Sequence, residues 1–215
     1  MLFKHYIWDF DGTLFDSYPH IIRCFRMILE EEGIDCDGEM LALQFYNNFG
    51  AARRWSGIST EGYRRFSELH YRMGEAEIEP KVVPFPQIEE ILRKIKEQGG
   101  SHYLYTNRND TARLYCVQYG LDKYFSGYVS SADGFPTKPA PDALLALMER
   151  EGLDPRDCVM IGDREIDGLS GLNAGMAGCL VTDFTKNADG DDPLAVTAMP
   201  YKCRRFEDLL PLFEV

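Results

Sequence analysis

Two carboxylates one residue apart, Asp9 and Asp11, close the apolar run Tyr6-Ile7-Trp8 and lead into Gly12-Thr13-Leu14. Side chains alternate across a strand, so residues 9 and 11 leave its carboxyl tip on the same side. Like charges held that close resist joint ionisation unless something positive or a proton compensates them. The chemistry such a pair invites is therefore that of a bound cation, a shared proton, or a phosphate held by a lysine. Gly12 allows a sharp turn and a close approach of backbone to ligand. Taken alone, the same residues are also an ordinary polar strand end with an Asx turn. What distinguishes the two readings is whether further pieces follow in order.

Three do. Tyr103-Leu104-Tyr105-Thr106-Asn107 reads as a short strand that ends in a hydroxyl and an amide. Lys138-Pro139-Ala140-Pro141 sets one cation in an extended segment before an apolar helix, and the prolines stiffen it and fix where the lysine points. Cys158-Val159-Met160-Ile161-Gly162-Asp163 is another apolar strand ending in a carboxylate, with Asp167 four residues on. Separately, Lys138 is an exposed lysine in a turn, and Asp163 and Asp167 are acidic decoration at a helix N-terminus. As an ordered set of four, they resemble the haloacid dehalogenase superfamily, whose members are mostly magnesium-dependent phosphohydrolases. The resemblance spans about residues 6 to 182, and phosphoglycolate phosphatase-like enzymes with a helical cap are the most similar members.

The resemblance implies roles. Asp9 would be the nucleophile that forms an aspartyl-phosphate, and Asp11 the acid and then the base. A nearby second carboxylate is expected to raise the pKa of Asp11. Mg²⁺ would take a carboxylate oxygen of Asp9, the backbone carbonyl of Asp11 and the carboxylate of Asp163, with Asp167 behind them holding a metal-bound water or Lys138. Thr106 would bond a phosphate oxygen, the Asn107 N–H would assist, and Lys138 would neutralise charge on Asp9 and on the phosphoryl group. Dehalogenases of the superfamily lack an aspartate at the second position, so Asp11 points to phosphoryl transfer. Arg53 and Arg54, with Arg64 and Arg65, are candidate substrate contacts, although arginine pairs on polar helices are often solvated faces. Two alternatives stay open. One is a phosphomutase acting on sugar phosphates, and the other a catalytically idle binding or regulatory member, which would carry a damaged motif.

These residues need a scaffold. A chain of 215 residues, 45% hydrophobic and 13% aromatic, supports a sizeable core plus a smaller insert. From Ile88 onward, helical stripes alternate with short apolar strands, which predicts an α/β fold: a Rossmann-like, doubly wound parallel sheet. In such sheets ligands bind beyond the carboxyl ends of strands, where Asp9, Asp11, Thr106 and Asp163 all fall. Asp16-Ser17 offers a helix cap, and from there to about Pro80 the pattern is helical, including Met40 to Phe45 and Tyr63 to Met73. The expected organisation is a catalytic core of residues 1–15 and 84–215 with a small α-helical cap, 16–83, inserted after the first strand. Lys81 to Pro86 reads as the return linker, residues 188–193 as a loop, and Phe206 to Phe213 as an amphipathic final helix.

Charge and cysteines narrow the function. Against 35 acidic residues stand 23 basic ones, a net charge of −12, which repels nucleic acid and anionic membranes. The expected partner is a small phosphorylated metabolite, drawn in by local cations, and the expected assembly a monomer or homodimer. The six cysteines are scattered, with no zinc-like pairing. Lys4 and Asp9 interrupt the N-terminal apolar run, so no signal peptide is expected, and reduced thiols fit a cytoplasmic location.

Overall fold

The computed structural model of the protein describes residues 1–72, 78–183 and 190–215. Along the chain, β1 (His5–Trp8) and β2 (Phe15–Asp16) are followed by four helices: α1 (Tyr18–Glu31), α2 (Gly38–Asn47), α3 (Phe49–Ser56) and α4 (Thr60–His70). Next come β3 (Val83–Pro84), α5 (Ile88–Glu97), β4 (Ser101–Tyr105), α6 (Thr111–Gln118), β5 (Phe125–Val129) and α7 (Asp142–Glu151). The chain ends with β6 (Cys158–Gly162), α8 (Glu165–Asn173), β7 (Ala177–Val181), α9 (Pro193–Val196), β8 (Tyr201–Cys203) and α10 (Leu209–Leu212).

Six parallel strands form one sheet in the order β5-β4-β1-β6-β7-β8. Strand alternation sends Tyr6 and Trp8 to one face and Ile7 to the other. On the first face they meet Ile88, Ile91, Leu92 and Ile95 of α5, Tyr115 and Cys116 of α6, and Phe213. On the second, Ile7 and Met160 meet Ala143, Leu144, Leu147 and Met148 of α7. Both faces are thus covered by helices, which is why the central strands read as unbroken apolar runs. From β1 the chain builds outward to β4 and β5, then returns to the other side of β1 for β6, so the order reverses around β1. Trp8 is level with Leu104 and with Ile161, which places the residues that follow β1, β4 and β6 at one edge.

Helices α1 to α4 pack around a cluster of their own, with Phe25, Phe45 and Phe66 at its centre. Ring centroids there lie 4.9 Å apart for Phe25 with either partner, edge to face. Between β2 and β3 this helical stretch leaves and rejoins the chain, and the two short strands pair antiparallel, Phe15 with Pro84 and Asp16 with Val83.

Several local expectations change. The stretch read as a return linker contributes β3, a strand too short to carry a period-two pattern. Helix α3 was not anticipated. It starts at an Asn48 cap, whose Oδ1 accepts from the Ala51 N–H at 2.7 Å, and stops at Gly57 with φ of 71°. Ser17 stands at the start of α1 but does not cap it; its hydroxyl donates instead to Asp11 at 2.6 Å. Helix α4 ends at His70, so the expected helix stops short at Tyr71 and Arg72, and Met73 lies outside the described residues. Residues 188 and 189 of the expected loop also lie outside them, and α9 begins at Pro193. The final helix shrinks to a 3₁₀ turn, Phe206–Asp208, and the four-residue α10, because Pro211 has no amide hydrogen to extend the ladder. Among the described residues no helix is long and apolar enough to cross a membrane.

Candidate active site

The site is assembled at the carboxyl ends of β1, β4 and β6. Asp9 follows β1, its N–H donating to the Ile161 carbonyl at 2.9 Å. Two glycines make the crowding possible. Gly12 has φ of 79°, and a Cβ there would lie 2.4 Å from the Tyr18 ring and 2.6 Å from Asp163 Oδ2. At Gly162 a Cβ would fall 2.2 Å from Asp167 Cβ, so only glycine lets α8 begin so tightly against the end of β6.

Lys138 ties these segments together. Its fully buried ammonium lies 2.5 Å from Asp9 Oδ1 and 2.9 Å from Asp167 Oδ1. Asn107 Oδ1 accepts from the Lys138 backbone N–H at 3.3 Å, tethering that loop to the end of β4. Burial would lower the lysine's pKa, but the charges of Asp167 and Asp9 outweigh it, and it stays raised and protonated. Asp167 is also the cap of α8, its Oδ2 accepting from the Arg164 N–H at 3.1 Å. Asp163 accepts from the Tyr18 hydroxyl at 2.9 Å and from Thr13 Oγ1 at 3.5 Å.

Three buried carboxylates therefore face one ammonium, bonded to two of them, and the more distant charge of Arg164. Asp9, Asp163 and Asp167 each bring an oxygen within 4.8 Å of the others, and Asp9 Oδ2 is buried with no partner among the described residues. Burial pushes the Asp9 carboxyl up to about 7 against the pull of Lys138. Burial, with Asp167 and Asp9 as like-charged neighbours, holds Asp163 well above the carboxylate range. Such negative charge, presented by hard oxygens with one lone oxygen to spare, fits a divalent cation that prefers oxygen ligands.

Asp11 is held differently from what its neighbouring carboxylate implies. Burial raises its pKa, but the Arg108 charge and hydrogen bonds outweigh burial and hold it below the usual range. Arg108 Nη2 lies 2.8 Å from Asp11 Oδ1, and Nε lies 3.1 Å from both oxygens. The expectation of a raised Asp11 therefore fails in this structure, because a cation distant in sequence sits closer than the second carboxylate's influence can offset. Thr106 Oγ1 accepts from the Arg108 N–H at 3.0 Å, which leaves the hydroxyl hydrogen free to donate.

A cavity of about 380 Å³ joins these groups. On the strand side it is lined by Asp9, Asp11, Thr106, Asn107, Arg108 and Lys138, and on the side of the inserted helices by Asn48, Phe49, Gly50 and Tyr71. Six sequence candidates thus converge: the two aspartates, Thr106, Asn107 and Lys138 in the wall, with Asp163 directly behind them. Arg53 and Arg54 are not brought to the cavity. Arg53 donates to Thr60 Oγ1 at 3.0 Å and stacks over Tyr63, while Arg54 is exposed. Arg64 pairs with Glu61 and Glu68, and Arg65 with Glu31. Helical periodicity turned those side chains along their own surfaces. Sequence reasoning missed Arg108 and Tyr18. Arg108 follows Thr106 by only two residues, and that proximity was the one available signal.

A model described as haloacid dehalogenase-like hydrolase matches residues 6–181. The chain is 28% identical over 213 residues to a phosphoglycolate phosphatase of Yersinia pestis, covering 95% of this chain and 90% of that protein. It is 26% identical over 219 residues to the pyrophosphatase PpaX of Halalkalibacterium halodurans, covering 97% and 96%. In fold it is similar to the crystal structure of a predicted phosphoglycolate phosphatase from Haemophilus somnus 129pt, with a TM-score of 0.79 at 22% identity over 99% and 98% of the two chains.

Proposed function

The chain belongs to the haloacid dehalogenase-like hydrolase family, and from that premise we propose that it is a Mg²⁺-dependent phosphatase of small phosphomonoesters, working through an aspartyl-phosphate on Asp9. The observation that carries the reading is Asp9 itself. It is a buried carboxylate with one oxygen on Lys138, the other unpartnered among the described residues, in the wall of a cavity sized for a small molecule.

In this reading a carboxylate oxygen of Asp9 attacks phosphorus and the ester bond to the alcohol breaks. Asp11, once protonated against the pull of Arg108, gives that proton to the departing oxygen. In the second half it takes a proton from the water that attacks the acyl phosphate, restoring Asp9 and releasing inorganic phosphate. Thr106 Oγ1 donates to a phosphoryl oxygen, the Asn107 N–H assists, and Lys138 stabilises charge on Asp9 and on the phosphoryl group. Asp9, the Asp11 carbonyl and Asp163 would hold the cation, with Asp167 orienting Lys138. The cation supplies positive charge where phosphoryl charge gathers.

Residues 16–83 serve as the cap over a core of 1–15 and 84–215. Asn48, Phe49, Gly50 and Tyr71 close the cavity from that side, which supports a role in excluding bulk water and admitting only compact leaving groups. The names of the relatives, phosphatase and pyrophosphatase, favour release to water over return of the phosphoryl group as in a mutase.

The test is phosphate release from a panel of small phosphomonoesters. Turnover is expected with Mg²⁺, to vanish on chelation, and to be absent in Asp9→Asn protein. Turnover that persists in that variant, or phosphate transfer back to the organic product, would overturn the reading.

A further inference from the structure

Among the carboxylates of the site, Asp163 is held differently from the rest. Asp9 and Asp167 are bonded to Lys138 and Asp11 to Arg108, whereas Asp163 has no ion pair among the described residues. Hydroxyls take the place of a cation. Tyr18, the first residue of α1, donates from its buried hydroxyl to Asp163 Oδ2 at 2.9 Å, and Thr13 Oγ1 donates to Oδ1 at 3.5 Å. Tyr46, near the end of α2, donates to the Asp163 backbone carbonyl at 3.1 Å and lies 3.1 Å from Thr182 Oγ1, just past β7. Both tyrosines belong to the inserted helices, and their bonds to Asp163 span 145 and 117 residues of sequence. The Tyr18 ring is fixed against Gly12, where even a Cβ would lie 2.4 Å from it.

A neutral donor fixes where a carboxylate lies without cancelling its charge, as a lysine or arginine would. Asp163 is thus the carboxylate whose charge stays available to a cation, and the tyrosines that aim it come from the insert. We propose that Tyr18 and Tyr46 make the inserted helices part of the cation site. Their hydroxyls position Asp163, so that Mg²⁺ binds tightly only while the insert is seated on the strand ends, and the insert is held more firmly when the site is filled. This rests on the Mg²⁺ assignment of the phosphatase reading and deepens it, adding two positioning residues. Outer partners of a metal-binding carboxylate set metal affinity by about 10- to 100-fold. Linkage makes the effect reciprocal: whatever the seated insert adds to Mg²⁺ affinity returns as added hold on the insert. Two hydroxyl bonds are also readily broken and remade, as an insert that opens for its guest requires.

Calorimetric titration of the full-length protein with Mg²⁺, in the absence of substrate, tests this. Tyr18→Phe keeps the ring against Gly12 and removes only the hydroxyl, and its Mg²⁺ affinity is expected to fall about 10- to 100-fold. Tyr46→Phe is expected to lose about threefold or more, since its bond reaches the backbone rather than the carboxylate, and it decides the matter should Tyr18→Phe not fold. Tyr6→Phe removes a buried hydroxyl bonded to the Phe3 carbonyl; it is the control and should bind Mg²⁺ as wild type does. Hydrogen–deuterium exchange gives the reciprocal readout. Mg²⁺ should slow amide exchange in α1 and α2 of wild type, and clearly less in Tyr18→Phe. A merely structural role for the hydroxyl would speed exchange equally with and without Mg²⁺ and leave the affinity untouched. Affinity within about twofold of wild type in folded Tyr18→Phe would overturn the proposal. So would a wild type that binds no Mg²⁺, or exchange in α1 and α2 that is indifferent to it. Hydroxyl-dependent Mg²⁺ binding in a protein that turns over no phosphomonoester would end the phosphatase reading and keep this one.

Discussion

The strand side of the cavity and the helix side hold their polar groups in opposite ways. On the strand side, charges are locked by bonds that cross large sequence distances, 97 residues for Arg108 to Asp11 and 129 for Lys138 to Asp9. On the helix side, Asn48, Phe49, Gly50 and Tyr71 present no ionisable acid or base of ordinary pKa. The arginines of those helices pair locally or lie exposed, away from the cavity. The contrast teaches that the charged groups of the site sit on the strand side, while the insert supplies shape and, through Ser17 and Tyr18, neutral donors to Asp11 and Asp163. A fixed charge environment needs rigid elements around it, and an element that must admit and release a ligand is better built without such locks.

Substitutions can break or sharpen that contrast. The largest effect is expected for Asp9→Asn, which removes the proposed nucleophile while keeping an acceptor for Lys138. Single-turnover phosphate release should fall by about 10⁴-fold or more with the fold intact by circular dichroism. Lys138→Met leaves Asp9 and Asp167 as uncompensated buried charges. Urea unfolding at neutral pH should show a loss of about 3–5 kcal/mol, partly recovered by millimolar Mg²⁺ because a cation replaces the missing charge. A variant as stable as wild type would mean the strand-side lock is not what organises the site.

The two regions also share an acid-sensitive device. His102, in β4, accepts from Trp8 Nε1 at 3.0 Å on Nδ1 and donates from Nε2 to the Leu92 carbonyl at 2.9 Å, a pattern that requires the neutral ring. Burial pushes it down to about 4, and burial followed by the Arg108 charge pushes His70, at the end of α4, down to about 4 as well. Both folded values lie below the unfolded value of 6.5, so their stabilisation is complete above that pH and is lost as pH falls toward 4. Each contributes on the order of 3 kcal/mol. Unfolding free energy should thus drop steeply between about pH 6.5 and 4, and His102→Gln should flatten that slope. The smallest effect is expected on the helix side: Arg53→Ala and Arg54→Ala should change kcat/KM by less than about twofold, since neither reaches the cavity. A tenfold loss in either would mean the helices do contribute charge to the guest.

Sequence patterns resolved the site better than its surroundings. Asp9, Thr106 and Asp163 were legible because each ends a short apolar run, and the end of a buried parallel strand is where ligands lie. Lys138 was legible through the prolines around it. Strands β2 and β3 were not, since two residues carry no period, and α3 hid among glycines and arginines with a weak apolar stripe. Arg108 was overlooked because an arginine near a loop reads as solvated until something buries it.

What the amino-acid order determined by itself is local. Apolar alternation and 3.6-residue periodicity set the strands and most helices, and the motif residues were placed at their tips. The tertiary structure alone decided partnership: that Lys138 bridges Asp9 and Asp167, that Arg108 rather than a carboxylate governs Asp11, and that Asn48, Phe49 and Gly50 face the cavity while Arg53 and Arg54 do not. Ionisation and contact depend on distances between side chains remote in the chain. Those distances arise only when the sheet brings the strand ends level and the packed helices choose which face to turn inward.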